Sequence, residues 1–563
     1  MSSRARSVGA FALAVALAVA VAACGGGSSN NNKSSGGGGG GGGTPASKGG
    51  NITVLLGTAP DYLDPGEGYT TQSVEFTWLS YLPLYSYAHA TGQAGTKVIP
   101  ALAQDYPKIS NGGKTYTLTL RPNMTYSNGK AVKASDFRYA IERACKINWG
   151  GKPFFTGYIK GAAEYDKGKA KTISGIKTDD STGKITIHLT QPYGPFLNVL
   201  AFPSAAPVPT GTPMKNMSND PPPGVGPYEI KNVVPNRSWQ LVRNPKWTDS
   251  TIPGIPAGHV DVTAKISSNT QTEAEQVLQN QADVFDWGDQ VPPALATQVT
   301  AKANDRFSKV TFPSTFYFFL NTRTKPFNNQ LAREAVNMAI DRRALSRLGS
   351  GNYKPTCWFL PEGMVGHPTG PCPYGDPNAA PNIAKAKQML QQSGMAGQSV
   401  TVWGETRSPR KEFIDYYTDV LNKLGFKAKS KIIADAQYFP TIGNLKTNAQ
   451  TGFADWLQDF PNPSDFYLLM DKNTIQPINN ENFSLVADPH IQSELAKLNP
   501  VPANKLQSVA GEWQKLDEYL AKKAYIAAYG QELAPKFYSN RIDYGKAVFH
   551  PLYGNDFSTF QLK

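Results

Sequence analysis

The spacing of apolar residues predicts strands and helices that alternate in both halves of the chain. Short apolar runs such as Asn51–Leu56 are typical of strands covered on both faces. Residues 399–433 have the pattern of a strand, an amphipathic helix and a second strand. Residues 261–287 repeat that order. Because strand–helix–strand units build parallel sheets, the pattern predicts an α/β protein.

Three local predictions are specific enough for a structure to test. The aromatic stretch 75–87 has a helix-like pattern. Residues 331–345 predict one continuous helix, because large side chains recur there at three-to-four spacing. Ser135 is expected to cap a helix that begins at Asp136, since its hydroxyl can accept a hydrogen bond from the first turn.

The first 24 residues have the pattern of an export signal. Arg4 and Arg6 precede a run of 16 small and apolar residues, which Cys24 follows directly. The run is shorter than the about 20 residues that a spanning helix needs, so residues 1–23 are predicted to be a cleaved signal peptide. The cysteine after small residues resembles the lipobox of bacterial lipoproteins, which implies that Cys24 is lipidated. An ordinary secretory signal with an incidental cysteine is the alternative.

Residues 25–50 cannot form a packed structure. Glycine makes up 13 of these 26 residues, and none is a large apolar residue. A flexible coil of this length has a root-mean-square span of about 25–30 Å. Residues 24–50 are therefore predicted to be a lipidated tether that holds a folded body away from a membrane surface.

Cysteine usage beyond Cys24 agrees with export. Cys357 and Cys372 lie 15 residues apart in a loop rich in proline and glycine. An oxidising compartment favours a disulfide between them, worth about 3 kcal/mol in the chain-entropy model. A zinc site is the alternative, but only His367 lies between the two cysteines. Cys145 lies in a helical pattern and is expected to be a buried free thiol.

Length and charge narrow the class of protein. The 513 residues after position 50 exceed what one core holds, so at least two lobes are expected. The formal net charge of +13 is spread thinly and forms no basic block, so no nucleic-acid partner is predicted. The six histidines are scattered, and no metal or cofactor is expected. No motif of a serine hydrolase, zinc protease or dinucleotide-binding enzyme occurs.

The apolar run Ala454–Met470 contains Asp459 between two aromatic residues and ahead of a proline. A carboxylate buried there would cost several kcal/mol unless something paired with it. One interpretation is a turn aspartate that accepts hydrogen bonds from nearby backbone N–H groups. The other is a carboxylate that waits for a cation supplied by a ligand.

Six motifs in a fixed order over about 400 residues resemble one family. This family is the large extracytoplasmic solute-binding proteins of ABC importers, and more narrowly their peptide/nickel branch of oligopeptide- and dipeptide-binding receptors. The motifs are "LDP" (63–65), "PALA" (100–103), "GKTYTLTLRPNMTYSNGKAVKASDF" (113–137), "GPYEI…LVRNPKW" (226–247), "FFLNTRTKPFNNQLAREAVNMAIDRRAL" (318–345) and "DWLQDFPNPSDF" (455–466).

The resemblance implies a two-lobed α/β fold of the large, type II periplasmic-binding-protein class, with an extra domain inserted in the first lobe. The lobes are expected to close over a ligand about a hinge. The expected divisions are lobe I at 51–76, 200–317 and 531–563, the extra domain at 77–199, and lobe II at 318–530.

The resemblance also names binding residues. In peptide-binding members, the aspartate of a W-x-x-D-Y/F-x-x-P segment pairs with the α-ammonium of the ligand. Trp456, Asp459, Phe460 and Pro463 match that pattern. Asp459 is therefore the expected anchor and Trp456 is expected to line a side-chain pocket. The other expected binding residues are Asp455 and Leu457, whose backbone with that of Trp456 would pair with an extended ligand, and Tyr69, Thr70, Thr71, Tyr438 and Trp403.

The sequence departs from the family in one segment. The commoner "DYPDP" is "DFPNP" here, with Asn462 in place of the second acid, while Asp459 is kept. No arginine of this segment matches a known carboxylate clamp, so how a ligand carboxylate would be held stays open. Trp403 has a second interpretation, as a core residue.

The function implied is that of a monomeric, lipid-anchored receptor on the outer face of the cytoplasmic membrane. It would deliver a peptide-like solute to an ABC permease and ATPase, and it would not be an enzyme. One alternative is the same fold binding an oligosaccharide or another non-peptide solute. The others are a tethered exported enzyme and a sensor without a transport role.

Overall fold

The computed structural model describes residues 49–563. The predicted signal peptide, the lipidation site Cys24 and the tether up to residue 48 therefore lie outside the described residues. None of the helices in residues 49–563 combines the length and the apolar composition needed to cross a bilayer.

Strands and helices alternate along the described chain. The strands are β1 (Asn51–Leu56), β2 (Tyr85–Tyr87), β3 (Val98–Pro100), β4 (Lys108–Ser110), β5 (Thr115–Thr119), β6 (Ile176–Asp179), β7 (Lys184–His188), β8 (Tyr228–Val234), β9 (Ser238–Arg243), β10 (Asp261–Ile266), β11 (Val284–Phe285), β12 (Phe307–Thr311), β13 (Ser314–Leu320), β14 (Tyr353–Pro355), β15 (Ser399–Glu405), β16 (Lys427–Ile433), β17 (Thr451–Leu457), β18 (Ile526–Tyr538), β19 (Phe549–His550) and β20 (Gly554–Asn555).

The helices are α1 (Thr71–Thr77), α2 (Gly92–Gly95), α3 (Ala134–Lys146), α4 (Pro153–Thr156), α5 (Ala162–Asp166), α6 (Phe196–Val199), α7 (Thr270–Leu278), α8 (Pro293–Lys302), α9 (Gln330–Ala339), α10 (Arg342–Leu348), α11 (Ile383–Gln392), α12 (Arg410–Leu424), α13 (Asp435–Ile442), α14 (Pro463–Tyr467), α15 (Pro489–Leu498) and α16 (Ala510–Lys523). Short 3₁₀ helices occur at Pro203–Ala205, Leu445–Thr447, Leu468–Met470, Lys472–Thr474, Ala503–Val509 and Phe557–Thr559.

One large mixed sheet forms the framework, in the order β16-β15-β17-β13-β18-β11-β1-β10-β9-β8, with β12 and β14 also paired to β18. We call β1 and β8 to β12 the first sheet half, and β13 to β17 the second sheet half. In the second half β15 and β16 are parallel and α12 packs against both. The strand–helix–strand prediction for residues 399–433 is therefore confirmed.

The long strand β18 belongs to both sheet halves. Its residues up to Glu532 pair with β13 and β14, and its residues from Leu533 onward pair with β12 and β11. The chain makes its first crossing between the halves at residues 312–313, directly beside this point. There the N–H of Phe312 donates to the carbonyl of Glu532 over 3.1 Å. Two adjacent chain segments therefore link the halves.

A separate antiparallel sheet, in the order β4-β5-β7-β6, lies in the region predicted to be the inserted domain. Helix α3 packs against β6 and presents Ala140, Ile141 and Ala144 to the interior. This region has its own apolar layer, continuous with the main core.

A buried ion pair ties that region to the loop after β1. Arg143 of α3 donates to both carboxylate oxygens of Asp64, with distances of 2.6 and 2.5 Å. Both side chains are at most 1% exposed. Asp64 also accepts hydrogen bonds from the N–H groups of Gly66 and Met217. Because a buried carboxylate needs partners for its lone pairs, this network holds the loop in one conformation.

Two helix predictions are wrong. The stretch 75–87 is helical only to Thr77, and it then turns into β2. Helix 331–345 is divided at Asp341, whose carboxylate accepts hydrogen bonds from the N–H groups of Arg343 and Ala344 and so begins a new helix. The capping carboxylate explains why apolar spacing alone did not find the break.

The capping prediction for Ser135 is also wrong. Helix α3 begins two residues earlier than predicted, at Ala134, and the carboxylate of Asp136 accepts a hydrogen bond from the N–H of Lys133 over 3.0 Å. The Ser135 hydroxyl instead donates to Asp180 over 2.7 Å. The longer aspartate side chain reaches back to the free N–H, as in a capping box.

The cysteines lie as follows. Cys357 and Cys372 form a disulfide whose Cα atoms are 6.0 Å apart. Cys145 is a buried free thiol, and burial raises its pKa to about 12.

The expected lobe boundary between residues 317 and 318 falls inside β13, and all seven residues of that strand pair with β17.

Candidate functional site

The candidate site lies where the loop after β1 meets the end of β17. The loop is closed by Asp61, whose carboxylate accepts hydrogen bonds from the N–H groups of Tyr62 and Tyr69 and from the Thr70 hydroxyl. The Ser73 hydroxyl of α1 donates to the same carboxylate. These bonds place Tyr69 directly before α1, with its ring turned towards β17.

Strand β17 has a free edge at this point. All its residues pair with β13 on one side, whereas β15 pairs with it only at Thr451 and Gly452. No strand of the described chain covers the other side of residues 453–457. A free strand edge leaves backbone N–H and C=O groups available for pairing with an extended chain.

Asp459 follows this edge and contacts the loop. The Tyr69 hydroxyl donates to Asp459 Oδ2 over 2.7 Å, and this bond joins segments 390 residues apart. The Asp459 N–H donates to the carboxylate of Asp465, the third residue of α14, over 2.8 Å. Within residues 49–563 the Asp459 carboxylate has no cationic partner.

Aromatic rings surround the Tyr69–Asp459 contact. The Tyr69 ring packs edge-on against Trp149 and Trp456, with centroid distances of 5.4 and 6.2 Å. Trp149 in turn packs against Phe155 of the inserted region and against Phe202, which follows that region. Such rings offer flat apolar faces and lower the local dielectric constant. The structure therefore brings together the predicted residues Tyr69, Trp456 and Asp459.

A second carboxylate, Glu481, lies beside this group. Its neighbours Asn480 and Asn482 are buried, and Asn480 donates to the Asn482 carbonyl over 2.9 Å. Asn482 also accepts from the N–H of Val486 over 2.9 Å, which closes the turn. With both neighbours held inward, the half-buried Glu481 lies towards Gly150.

The environment of these carboxylates raises their pKa values. Burial raises the pKa of Asp459 to about 7, against the opposing effect of the Tyr69 hydroxyl. Burial and the charges of Asp459, Asp455 and Asp61 raise the pKa of Glu481 to about 8. Burial also raises the pKa of Asp61 itself. The cause in each case is that a charged carboxylate is disfavoured away from water and near like charge.

Asp455 is engaged inside the second sheet half. Arg410 donates to Asp455 over 2.8 Å and to Glu405 over 2.6 Å, and its guanidinium lies 4.5 Å from the centre of the Phe453 ring. The Asp455 carboxylate is therefore already paired. Its backbone remains on the free edge of β17.

Five further predicted residues have structural partners. Tyr438 is fully buried and donates from its hydroxyl to the carbonyls of Trp403 and Phe453, so it fills the gap where β15 leaves β17. Trp403 is 7% exposed and lies 4.1 Å below the Lys431 ammonium. Thr70 is bonded to Asp61, and the Thr71 hydroxyl contacts Gln72. Leu457 packs towards a cluster that contains Trp287 and Phe312.

An arginine bridges the two sheet halves. Arg407, which follows β15, donates to Asp289 over 2.6 Å and to the carbonyl of Gly288 in the first half. The N–H of Gly57 donates to the same carboxylate over 2.6 Å. Asp286 lies nearby, and burial together with the charge of Asp289 raises its pKa to about 7. Arg407 thus neutralises part of a group of acids when the halves are together.

Sequence reasoning missed Trp149, Glu481 and Arg407. Trp149 follows a helix in the inserted region and had no motif of its own. Glu481 lies in "INNENFS", where paired asparagines are a turn signal that indicates an ordered loop but not its direction. Arg407 lies two residues after a predicted strand, and sequence alone does not say which lobe it meets.

Comparison with known proteins identifies relatives. The sequence model of the bacterial extracellular solute-binding proteins, family 5 Middle, matches residues 97–477. The dipeptide-binding protein DppE of Bacillus subtilis is 25% identical over 427 residues, 72% of this chain and 74% of DppE. The glutathione-binding protein GsiB of Salmonella typhi is 26% identical over 433 residues, 73% of this chain and 77% of GsiB.

Solved structures share the fold. The clavulanic acid biosynthesis oligopeptide binding protein 2 has a TM-score of 0.79 at 22% identity, covering 92% of this chain and 96% of its own. The Escherichia coli murein tripeptide binding protein MppA has a TM-score of 0.78 at 21% identity, with 92% and 99% covered. The unliganded open form of MppA scores 0.62 at 21% identity, with 91% and 97% covered. The fold is thus of the two-lobed type II class.

Replacement of Arg407 is expected to favour an open arrangement. In Arg407→Met the buried Asp289 carboxylate has no cation while the two sheet halves are together, which destabilises that arrangement by about 3 kcal/mol. When the halves separate, water can solvate the carboxylate, so the separated arrangement is not destabilised. Small-angle X-ray scattering of the ligand-free protein should show a larger radius of gyration than the parent. Arg343→Met, which removes an exposed pair with Asp341 inside one half, is the control. Identical scattering from both variants would contradict the bridge.

Proposed function

The chain belongs to the family 5 bacterial extracellular solute-binding proteins, and we propose that it captures a peptide-like solute at the free edge of β17. The observation that carries the proposal is the combination of an unpaired strand edge with Asp459 at its end. The names of DppE and GsiB, a dipeptide-binding and a glutathione-binding protein, support this class of ligand. As a member of a family of binding proteins, the chain is not an enzyme.

In this proposal Asp459 binds the α-ammonium of the ligand. The Asp459 carboxylate accepts a side-chain hydrogen bond only from the Tyr69 hydroxyl among the described residues. An incoming cation therefore stabilises its charged form strongly. Charge-assisted hydrogen bonds are roughly twice as strong as neutral ones, and the aromatic surroundings exclude competing water. Trp456 and Trp149 then border the first side chain.

The peptide backbone pairs with β17. Residues 455–457 have β13 on one side and no strand on the other, so an extended ligand can add as a further strand. Main-chain hydrogen bonds do not depend on ligand side chains, which suits a receptor for peptides of varied sequence. Asp455 contributes its backbone while its side chain stays paired with Arg410.

Closure follows from the linked sheet halves. We take the first sheet half as lobe I and the second as lobe II, with residues 77–199 as the inserted domain and the hinge at 312–313 and 532–533. The Tyr69–Asp459 and Arg407–Asp289 bonds both join lobe I to lobe II. A ligand bonded to both lobes favours the closed state by its difference in affinity for the two states.

The N-terminal pattern supports a location outside the cytoplasm. Lipidation of Cys24 would anchor the receptor at the outer face of the cytoplasmic membrane, with residues 25–50 as the tether. From there the closed receptor would deliver its solute to an ABC permease and ATPase.

Removal of the Asp459 charge is expected to weaken peptide binding. Asp459→Asn keeps the shape but loses the ion pair, which should cost about 2–4 kcal/mol of binding free energy. The measurement is isothermal titration of the purified protein with a tripeptide library, each peptide also tested with its α-amine acetylated. Asp419→Asn, on the exposed Lys423 pair, is the control.

Two results would contradict this assignment. Equal affinity of the parent and Asp459→Asn would leave Asp459 as a turn residue. Failure of every free-amine peptide, together with binding of a sugar or another solute, would overturn the ligand class.

The affinity is expected to fall in mild acid. The Asp459 carboxylate must be charged to bind an ammonium, and its pKa of about 7 in the free protein means that it takes up a proton below neutral pH. Lowering the pH from 7 to 5.5 should therefore weaken binding by about tenfold, while the peptide α-ammonium stays protonated throughout. Titration of the parent and Asp459→Asn at both values tests this. A parent with unchanged affinity would contradict the raised pKa.

Lipidation at Cys24 is expected to be lost in Cys24→Ser. The full chain, expressed in a bacterium fed an alkyne fatty acid, should be labelled and sediment with membranes. The Cys24→Ser variant should be unlabelled, whereas Cys145→Ser should keep the label. Label retained on Cys24→Ser would exclude this anchor.

A further inference from the structure

Glu481 is a carboxylate of the cleft that the proposed function does not use. Its side chain lies beside Gly150, where a Cβ atom built on the glycine would be 3.7 Å from Glu481 Oε1. Gly150 follows Trp149, whose ring contacts Tyr69. Glu481 and the Tyr69 ring, whose hydroxyl donates to Asp459, therefore both lie beside Gly150.

Glu481 has no partner within residues 49–563. Its carboxylate accepts no hydrogen bond from them and forms no ion pair with them, and its charge acts on Asp459, Asp455 and Asp61 without a nearby cation. Its two buried neighbours, Asn480 and Asn482, hold the backbone that presents it. The fold thus holds Glu481 in place, but no residue in 49–563 supplies a cation for its carboxylate.

The arginines around the cleft are already committed. Arg407 is bonded to Asp289, Arg410 to Glu405 and Asp455, and Arg143 to Asp64. None of them is paired with Glu481 or Asp459. A ligand with a single ammonium would pair with Asp459 and leave Glu481 without a cation, and its carboxyl would then stay protonated because burial and nearby like charge disfavour the charged form.

We propose that Glu481 is a second cation subsite and that the receptor selects solutes with two cationic groups, specifically peptides whose first residue is lysine or arginine. The inference rests on the proposed function and names its ligand class. The α-ammonium binds Asp459, and the side-chain cation of the same residue binds Glu481. The apolar stem of that side chain lies along Trp149 and Tyr69.

The position of both carboxylates favours one residue as the source of both cations. Tyr69 connects the two carboxylates: its hydroxyl donates to Asp459 over 2.7 Å, and its ring and Glu481 both lie against Gly150. Successive side chains of an extended ligand point to opposite faces, so a cation on the second residue would point away from the first. A Cβ atom on Gly150 would lie 2.9 Å from the Tyr69 ring and 3.7 Å from Glu481 Oε1, so the bare glycine lets the ring and the carboxylate approach the same stretch of backbone.

The test uses two peptides that differ by one charge. Lys-Ala-Ala and norleucine-Ala-Ala share a four-carbon stem, and only the first carries a side-chain ammonium. The parent is expected to bind the lysine peptide at least about tenfold more tightly by isothermal titration. In Glu481→Gln the two affinities should agree within about threefold. Equal affinities in the parent, or a preference that survives in Glu481→Gln, would overturn the inference.

A second measurement needs no variant. Glu481 must be charged to bind a cation, and its pKa of about 8 means that it gains a proton as the pH falls. The lysine side chain stays charged between pH 6 and 8.5. The affinity for the lysine peptide divided by that for the norleucine peptide should therefore be larger at pH 8.5 than at pH 6. Titration of the α-amine affects both peptides equally and does not change this ratio. A ratio that does not change would overturn the inference even if Glu481→Gln failed to fold.

The outcomes separate this inference from the proposed function. If both peptides bind equally and Asp459→Asn weakens both, the peptide receptor stands and the second subsite is wrong. If neither peptide binds but cadaverine does, and Glu481→Gln weakens cadaverine binding, the second cation subsite stands and the peptide class is wrong. If none of the three binds, the proposed ligand class and the inference both fail.

Discussion

Negative charge at the junction of the two sheet halves is the constraint on which this structure depends. Carboxylates are concentrated there, and each must be paired, protonated or left for a ligand, because burial disfavours the charged form. Arginines neutralise some of them: Arg143 holds Asp64, Arg410 holds Asp455, and Arg407 holds Asp289 across the halves. Asp459 and Glu481 receive no cation from residues 49–563, and their pKa values are raised accordingly. The paired acids set the architecture, and the unpaired ones are the carboxylates that we propose bind the ligand.

The same junction explains how closure can be coupled to binding. The halves share β18 and are linked by two adjacent segments, so that they can rotate without breaking either half of the sheet. The side-chain hydrogen bonds of Tyr69 and Arg407 cross between the halves, beside aromatic contacts such as Phe202 with Phe460. Polar contacts of this kind exchange with water at modest net cost, unlike a packed apolar face. A ligand that forms bonds with both halves can therefore shift the equilibrium between the open and closed arrangements towards the closed one.

Much of the architecture follows from local patterns. The strand–helix–strand pattern of residues 399–433 predicted a parallel unit that the structure confirms, because the apolar face of α12 packs against β15 and β16. The divided helix at Asp341 and the cap of α3 were missed, since a single carboxylate with a backbone partner outweighs periodicity. The aromatic stretch 75–87 was misread as helical, because residues buried in the tertiary core are apolar on every side whether their backbone is helical or extended.

Some features of the candidate site could likewise be predicted from the sequence, and others could not. The sequence by itself determined that Asp459 lies in an apolar segment after a strand, since a charge in such a run is visible as an exception to its pattern. Only the tertiary structure decided which predicted residues meet it. Tyr69 does, from 390 residues away, whereas Tyr438 is turned into the gap between β15 and β17. Glu481 was invisible beforehand, because whether a loop carboxylate faces water, an arginine or a cleft depends on chain segments remote in sequence that only folding brings together.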